Sequence, residues 1–290
     1  MGKKATTISE QIQKLKDRGM HLNLGENKAK EVLLDVGYYR MGFYWHPLEK
    51  DNNHNFKEGA KFSDALDLYY LDSDLRHVFI KFLNRIEVNF KTKLIYEASN
   101  HYQTKPTWFA DPSIMKKGFI SQLPNYYDER FKNNNTALKN HHKKYINQIY
   151  APAWKALEFM PFGSILTIYK NLKSEELQKK ICKHYDLRNQ HYFVNHIRNL
   201  IAVRNICAHG GQLFDLQLAK ANTDIYGLKF TGKEKNNLYG VFKLIKYYLS
   251  KISSDREIEF STKVLSLLQV HQSNVALTDI IETKAGFLSF

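Results

Sequence analysis

A run of apolar residues spaced three and four apart is the feature of this sequence that most constrains its fold. The run consists of Leu75, Val78, Phe79, Phe82, Leu83, Ile86, Phe90 and Leu94. This spacing places the side chains on one face of an α-helix, and charged residues such as Arg85 occupy the other positions. We predict a long core helix that starts at Asp72 as N-cap and ends near Ser99, after a short helix that starts at Ser63. No segment shows sustained alternation of apolar and polar residues, so the sequence predicts an all-α fold.

The remaining helices are predicted from caps, periodicity and breakers. Thr-Ile-Ser-Glu at residues 7–10 forms a capping box for a helix that stops at Gly19. The other predicted helices span residues 26–36, 152–163 in part, 164–172, 175–184, 190–209, 233–252 and 255–271. Among the segments predicted to be non-helical, the aromatic segment 37–47 is predicted to form a packed loop or irregular turn, residues 52–59 a polar loop, and residues 225–230 a short strand.

Composition indicates a globular protein with a polyanionic partner. The chain has 290 residues, 43% of them hydrophobic, and a formal net charge of +14. These values favour a buried core and RNA or another nucleic acid as partner, ahead of an anionic membrane surface. The 18 Tyr and 18 Phe residues suit base stacking, although most aromatic residues in such a chain belong to the core.

Cysteine usage and hydropathy favour the cytoplasm. Cys182 and Cys207 are the only cysteines in the sequence, which supports neither a disulfide framework nor a structural metal site. No apolar run approaches the roughly 20 residues of a membrane span, and no signal-peptide pattern opens the chain. Residues 1–6 match an N-myristoylation pattern, which competes with the expectation that the protein does not contact membranes.

The candidate site lies in residues 200–214, at the end of a predicted helix. Gly210 and Gly211 close the helix, and Arg204, Asn205 and His209 are polar exceptions near that end. Asn205 and His209 are four residues apart and share a face, which the long side chain of Arg204 can also reach. A guanidinium can stabilise the charge of a phosphodiester, and an imidazole can transfer protons near neutral pH without a metal. No metal or cofactor is therefore predicted.

The Arg–His spacing alone is not specific. A chain with this many Arg and His residues contains about one such pair by chance, and a second match joins Arg40 to His46. A His and an Arg in a last helical turn can also serve the helix dipole and cap carbonyl groups. The structural and the catalytic interpretations of Arg204 and His209 therefore both stay open on spacing alone.

Basic residues elsewhere provide candidate RNA contacts. Lys139, Lys143 and Lys144 belong to a basic run at residues 139–144, which is either an RNA-binding surface or a solvated helix face. Arg40 lies in the aromatic segment, where it either lines a nucleic-acid groove or packs with the aromatic residues around it.

Several segments, taken in order, resemble the Abi-like family of bacterial abortive-infection proteins, D/F type. They are Gly37-Tyr-Tyr-Arg40 with Gly42-Phe-Tyr-Trp45, Asp72-Ser-Asp-Leu-Arg76, Arg85-Ile-Glu87, Pro152-Ala-Trp154 with Leu157-Glu158 and Phe162-Gly163, and Arg204-Asn-Ile-Cys-Ala-His209. This family resembles the HEPN superfamily of helical ribonucleases, to which the nuclease domains of type VI CRISPR effectors are also similar. The chain departs from the family pattern at His46, where a second aromatic residue is usual, and at 212–214, where Gln-Leu-Phe replaces Arg-Leu-Trp.

The resemblance implies an all-α, HEPN-like helical bundle with additional helices, and metal-independent RNA cleavage at Arg204, Asn205 and His209. The expected reaction is attack of a ribose 2′-hydroxyl on its own phosphate, which leaves a 2′,3′-cyclic phosphate. One chain supplies one His to this helix, so a homodimer with a composite site is expected. We expect an Abi-like domain at residues 1–216 and a C-terminal helical extension packed on it at 217–290.

Two other functions stay open. The chain could be a non-catalytic RNA-binding protein that holds a structured regulatory RNA, since charge and aromatic content serve that function equally well. It could also be a toxin that a protein antitoxin holds inactive or that a phage component triggers. Cleavage by the purified protein would discriminate between these functions.

Overall fold

The computed structural model describes residues 4–288, and within them the chain is all-α, as predicted, with no β-strand. The helices of the first half are α1 (Ile8–Asp17), α2 (Glu26–Asp35), α3 (Tyr38–Trp45), α4 (Phe62–His101), α5 (Lys117–Tyr126), α6 (Glu129–Asn134) and α7 (Thr136–Lys144). Those of the second half are α8 (Ala153–Ala156), α9 (Phe162–Asn171), α10 (Glu175–Lys183), α11 (Gln190–Ala208), α12 (Leu238–Ser250), α13 (Ser254–Gln269) and α14 (Val275–Ile280). The N-myristoylation pattern begins at residues 1–3, which lie outside the described residues.

The fold is organised around α4. This helix has 40 residues, which corresponds to a length of about 60 Å, and it contacts α3, α10, α11, α12 and α13. Its first turns, with Phe62 and Leu68, belong to a smaller core with α1, α2 and α3, and its residues from Leu71 onward belong to the main core. A single helix therefore joins the N-terminal helices to the helix that carries the candidate site.

Helix starts follow the local chemistry of the sequence. The predicted capping box at the start of α1 is confirmed, because the Glu10 amide donates to the Thr7 hydroxyl and the Glu10 carboxylate accepts from the Thr7 amide. At the start of α11, the Asn189 side chain accepts from the amides of His191 and Tyr192.

The prediction of a loop at residues 37–47 is wrong. Residues 38–45 form α3, followed by a 3₁₀ turn at 46–48. Met41, Tyr44, Trp45 and Leu48 are buried at intervals of three, one and three residues, which is a helical face. The abundance of aromatic residues and glycine obscured this pattern in the sequence.

The prediction that Asp72 caps a new helix is also wrong. Asp72 lies inside the uninterrupted α4, and its carboxylate accepts from the backbone amides of Leu213 and Phe214 rather than from its own helix. The carboxylate that was predicted to cap a helix therefore binds a segment that is distant in the sequence.

The C-terminal part differs from the prediction in its boundaries. Residues 225–230 form a tight turn with an isolated bridge between Ile225 and Leu228, not a strand. Helix α12 begins at residue 238, after Asn237 caps it, and α14 with a π-helical turn at 281–285 was not predicted. Helices α12 and α13 contribute to the main core. The domain division at residue 216 stays a prediction.

None of the helices within residues 4–288 combines the length and the apolar character that crossing a membrane requires.

Candidate active site

The candidate catalytic residues lie at the C-terminal end of α11. Its last residue is Ala208, and His209 is the C-cap residue with φ −104° and ψ 13°. Gly210 follows with φ +66°, a conformation that favours glycine, and the Gly211 amide returns to the Ile206 carbonyl at 2.9 Å. This helix-ending turn is the one that the two glycines predicted.

Arg204 has two polar neighbours. Its Nε lies 3.5 Å from Oε2 of the buried Glu87 on α4, an ionic contact in which neither atom forms a hydrogen bond within the described residues. Its Nη1 donates to Oδ1 of Asn205 at 3.3 Å. The Arg204 side chain is 31% exposed, so part of the guanidinium faces solvent. A guanidinium has five N–H groups, and those not used by Glu87 and Asn205 are available to a phosphate.

His209 is exposed, and its side chain accepts or donates no hydrogen bond within residues 4–288. Its backbone amide donates to the Asn205 carbonyl at 3.0 Å, which fixes the main chain at the helix end. The side chain of Asn205 contacts Arg204 rather than His209. Asn205 is therefore placed to orient the guanidinium.

A buried polar cluster anchors the segment that follows His209. Oδ1 of Asp72 accepts from the amides of Leu213 and Phe214 at 3.0 and 2.7 Å, and Oδ2 accepts from the Tyr44 hydroxyl at 3.0 Å and from Arg76. Burial, followed by the neighbouring Asp72, raises the pKa of Tyr44 to about 12, so its hydroxyl remains a donor. Burial raises the pKa of the Asp72 carboxyl, and Arg76 and the two amides oppose that shift.

Two arginines bind the carbonyl groups just after the helix. Arg40 of α3 donates to the Gly210 carbonyl at 2.8 Å, and Arg76 of α4 donates to the Gly211 carbonyl at 3.2 Å. Cations at this position interact favourably with the negative end of a helix dipole. Arg40, which was predicted to contact RNA, therefore binds the carbonyl group of the residue that follows His209. It forms no ion pair within the described residues.

The second sequence match, Arg40 with His46, is not brought together as a site. The imidazole of His46 is exposed, and its Nδ1 lies 2.9 Å from Oε2 of Glu49. Nδ1 of His54 lies 2.9 Å from the same oxygen. Arg40 and His46 thus contact different partners.

The three predicted RNA-binding lysines lie on α7. Lys139, Lys143 and Lys144 are all exposed, and the first two line a shallow groove of about 420 Å³. Nζ of Lys144 lies 5.3 Å from the centre of the Tyr145 ring. Among the described residues, no hydrogen bond or ion pair links these lysines to Arg204 or His209.

Other candidate groups near the site have structural surroundings. Burial raises the pKa of the Cys207 thiol to about 12, which keeps it protonated and a poor nucleophile. No group of three or more His, Cys, Asp or Glu side chains within residues 4–288 is arranged to hold a metal ion.

Four of the five sequence segments that suggested the family meet at the end of α11. Arg40 and Tyr44, Asp72 and Arg76, and Glu87 all contact residues 204–214 directly or through one another. The fifth segment, residues 152–163, packs instead on α4, where Lys91 donates to the Glu158 carbonyl at 2.6 Å.

The sequence segments that resemble the family contain the side chains of this cluster, but the sequence did not indicate their roles. Asp72 and Arg76 are four residues apart, at positions that continue the apolar face of α4. A charged pair at core positions is the signal that could have identified the anchor, because such charges are buried only when paired.

The fold is an all-α one with a polar site at the end of a helix, and comparison with known sequences defines its class. The model of the Abi-like protein family matches residues 31–215, which contain every residue of the site described above. The chain belongs to the family of Abi-like proteins. No curated protein and no solved structure matches the chain.

Proposed function

We propose that the protein is a metal-independent, HEPN-like endoribonuclease of bacterial abortive-infection defence. The observation that carries the proposal is that Arg204 lies in the last turn of α11 and the exposed His209 at its C-cap, with the Arg204 guanidinium next to Glu87 and Asn205. Membership in the Abi-like family supports the role in defence, and the net charge of +14 supports an RNA substrate.

The reaction is an internal transfer at phosphorus. The 2′-oxygen forms a bond to the adjacent phosphorus, the bond from phosphorus to the 5′-oxygen breaks, and the products carry a 2′,3′-cyclic phosphate and a 5′-hydroxyl. A base removes the 2′ proton and an acid protonates the leaving 5′-oxygen. His209 performs one of these transfers, and Arg204 stabilises the charge on the non-bridging oxygens.

A homodimer would supply the group for the second proton transfer. Since His209 is exposed at the helix end, two copies of α11 can approach so that the partner subunit's His209 supplies the other proton carrier. Sedimentation of the purified protein tests this arrangement. A monomer that cleaves RNA at full rate, at concentrations where no dimer forms, would exclude it.

Cleavage of RNA by purified variants in EDTA tests the chemistry. Arg204→Ala and His209→Ala are each expected to lower the rate at least about 100-fold and to abolish toxicity in cells. His209→Ala should keep the wild-type melting temperature, and Arg204→Ala, which leaves the buried Glu87 carboxylate without its cation, should still be folded at the assay temperature. The exposed residues Arg130 and His101 provide matched controls, whose alanine variants should cleave at the wild-type rate. Wild-type cleavage by Arg204→Ala and His209→Ala would refute the proposal.

The analysis of product ends separates the enzyme from a contaminant. A cyclic phosphate formed in EDTA is not the product of a two-metal nuclease. Tight RNA binding without cleavage would favour a protein that holds a regulatory RNA. Cleavage that appears only after removal of a bound protein, or on addition of a phage component, would identify an antitoxin or a trigger.

A further inference from the structure

A large groove opens at the other end of α11 from His209. It lies between α10, the start of α11, the end of α12 and the turn at residues 225–228, and its volume is about 1210 Å³. We call it the distal groove. It is lined by Lys179, Lys183, Asp186, Leu187, Arg188 and Asn189, with Tyr192, Ile225, Tyr226, Gly227, Tyr247, Ser250 and Lys251. Its volume exceeds the roughly 300–1,000 Å³ of small-molecule sites, which favours a polymeric ligand.

The distal groove is positively charged. Its cations are Lys179, Lys183, Arg188 and Lys251, and its one carboxylate belongs to Asp186. Asp186 pairs with Lys251 at 2.7 Å. Lys183 and Arg188 are exposed and form no ion pair within residues 4–288. Two uncompensated cations beside a cavity suit a chain of phosphates.

The groove also presents tyrosine rings to solvent. The side chain of Tyr226 is 97% exposed, at the tip of a turn that two backbone hydrogen bonds between Ile225 and Leu228 close. Ile225 and Leu228 are buried and anchor the backbone of this turn, which places the ring in solvent. Tyr192 is 40% exposed on the first turn of α11. Exposed aromatic rings beside cations are typical of surfaces on which unpaired bases stack.

A partly exposed face of α11 runs from the distal groove to the candidate active site, with Asn195 half-buried and donating to the Ala221 carbonyl and the Thr223 hydroxyl. Its members are spaced alternately four and three residues apart: His191, Asn195, Arg198, Ala202, Asn205 and His209. Arg198 lies midway and forms no ion pair within the described residues. The helix has 19 residues, so the face is about 28 Å long, or about eight nucleotides at a stacked spacing of about 3.4 Å.

We propose that the distal groove binds a single-stranded segment of the RNA substrate, about eight nucleotides from the phosphate that reacts at His209. Unpaired bases stack on Tyr226 and Tyr192, and Lys183 and Arg188 bind the phosphates. A duplex is disfavoured because its bases are not available to the rings. The inference rests on the proposed function in taking RNA as the ligand.

Direct binding tests the groove separately from cleavage. In a His209→Ala background, a labelled single-stranded RNA of about 20 nucleotides is titrated by fluorescence anisotropy at several salt concentrations. Tyr226→Ala is expected to raise Kd about 5- to 150-fold. The double variant Lys183→Ala/Arg188→Ala is expected to lower the slope of log K against log salt by about 1.4, which is 0.7 for each of two phosphates.

Matched controls carry the same chemical changes outside the groove. Lys117→Ala/Lys170→Ala removes two exposed lysines without ion pairs among the described residues, and Tyr96→Ala removes a ring that is 61% exposed. These controls should retain the wild-type Kd and salt slope. The inference would be overturned if the groove variants bound RNA with the same Kd and salt slope as the controls. It would also be overturned if duplex RNA bound as tightly as single-stranded RNA, or if polyglutamate bound in place of RNA.

Cleavage assays then distinguish failure of this inference from failure of the proposed function. In the wild-type protein, KM should rise when the RNA on one side of the scissile phosphate is shortened below about eight nucleotides. In Lys183→Ala/Arg188→Ala, the same shortening of the RNA should leave KM unchanged. Cleavage that is unaffected by the groove variants at every RNA length would refute the groove alone. Groove-dependent binding without any cleavage would refute the proposed function alone.

Discussion

Replacement of Asp72 by Asn is expected to destabilise the protein strongly, although the two side chains have nearly the same shape. The Asp72 carboxylate is buried, pairs with Arg76 and accepts from the amides of Leu213 and Phe214. An asparagine retains one acceptor for the amides but directs its NH₂ group at Arg76 or at the amides, which leaves a buried cation without its counter-ion. Removing one partner of a buried ion pair costs about 3–5 kcal/mol.

This free energy corresponds to a measurable change in melting temperature. A chain of 290 residues has an unfolding entropy of about 0.6 kcal/mol per degree, at about 2.1 cal/mol/K for each residue. A loss of about 3–5 kcal/mol therefore lowers Tm by about 5–8 °C. Because Asp72 anchors the segment after His209, RNA cleavage should fall as well, even at temperatures where the variant is folded.

Thermal unfolding followed by circular dichroism measures the effect. Asp74→Asn is the matched control, because Asp74 is exposed on the same turn of α4 and forms no ion pair or side-chain hydrogen bond within residues 4–288. The control is expected to melt within about 1 °C of wild type. An Asp72→Asn protein that also melts within 1 °C of wild type would refute the assignment of Asp72 as the anchor.

Three further predictions concern the candidate site, the core and the basic helix. Glu87→Gln should lower kcat for RNA cleavage at least about tenfold with KM and Tm nearly unchanged, because Glu87 positions Arg204 for the transition state; an unchanged kcat would contradict this role. Burial lowers the pKa of His196 to about 4, so the unfolded chain binds a proton between about pH 6.5 and 4 that the folded chain does not. The unfolding free energy should thus fall by up to about 3 kcal/mol as pH decreases through this range, and denaturant titrations should show a smaller decrease for His196→Gln. Lys143→Ala/Lys144→Ala should weaken RNA binding and lower its salt slope without affecting single-turnover cleavage, and an unchanged slope would assign these lysines to a solvated helix face.

Local patterns were sufficient for most of the helices. The Thr7–Glu10 capping box and the apolar spacing of α4 each involve residues within a few positions of one another, so the sequence displays them directly. The sequence prediction misses helix α3 because it relies on the glycine and aromatic content of residues 37–47 instead of on the spacing of their apolar residues. The buried residues of α3, such as Met41 and Trp45, nevertheless have helical spacing.

The sequence by itself determined the all-α class, the helix end at Gly210 and the location of the candidate catalytic residues. These features depend on periodicity, on backbone preferences and on side chains four or five residues apart. Only the tertiary structure decided that Asp72 serves as an anchor rather than a cap, and that Arg40 binds the carbonyl group next to His209. These contacts join residues 141 or more positions apart in the chain. Such pairings depend on how helices pack against one another, and no local pattern specifies that packing.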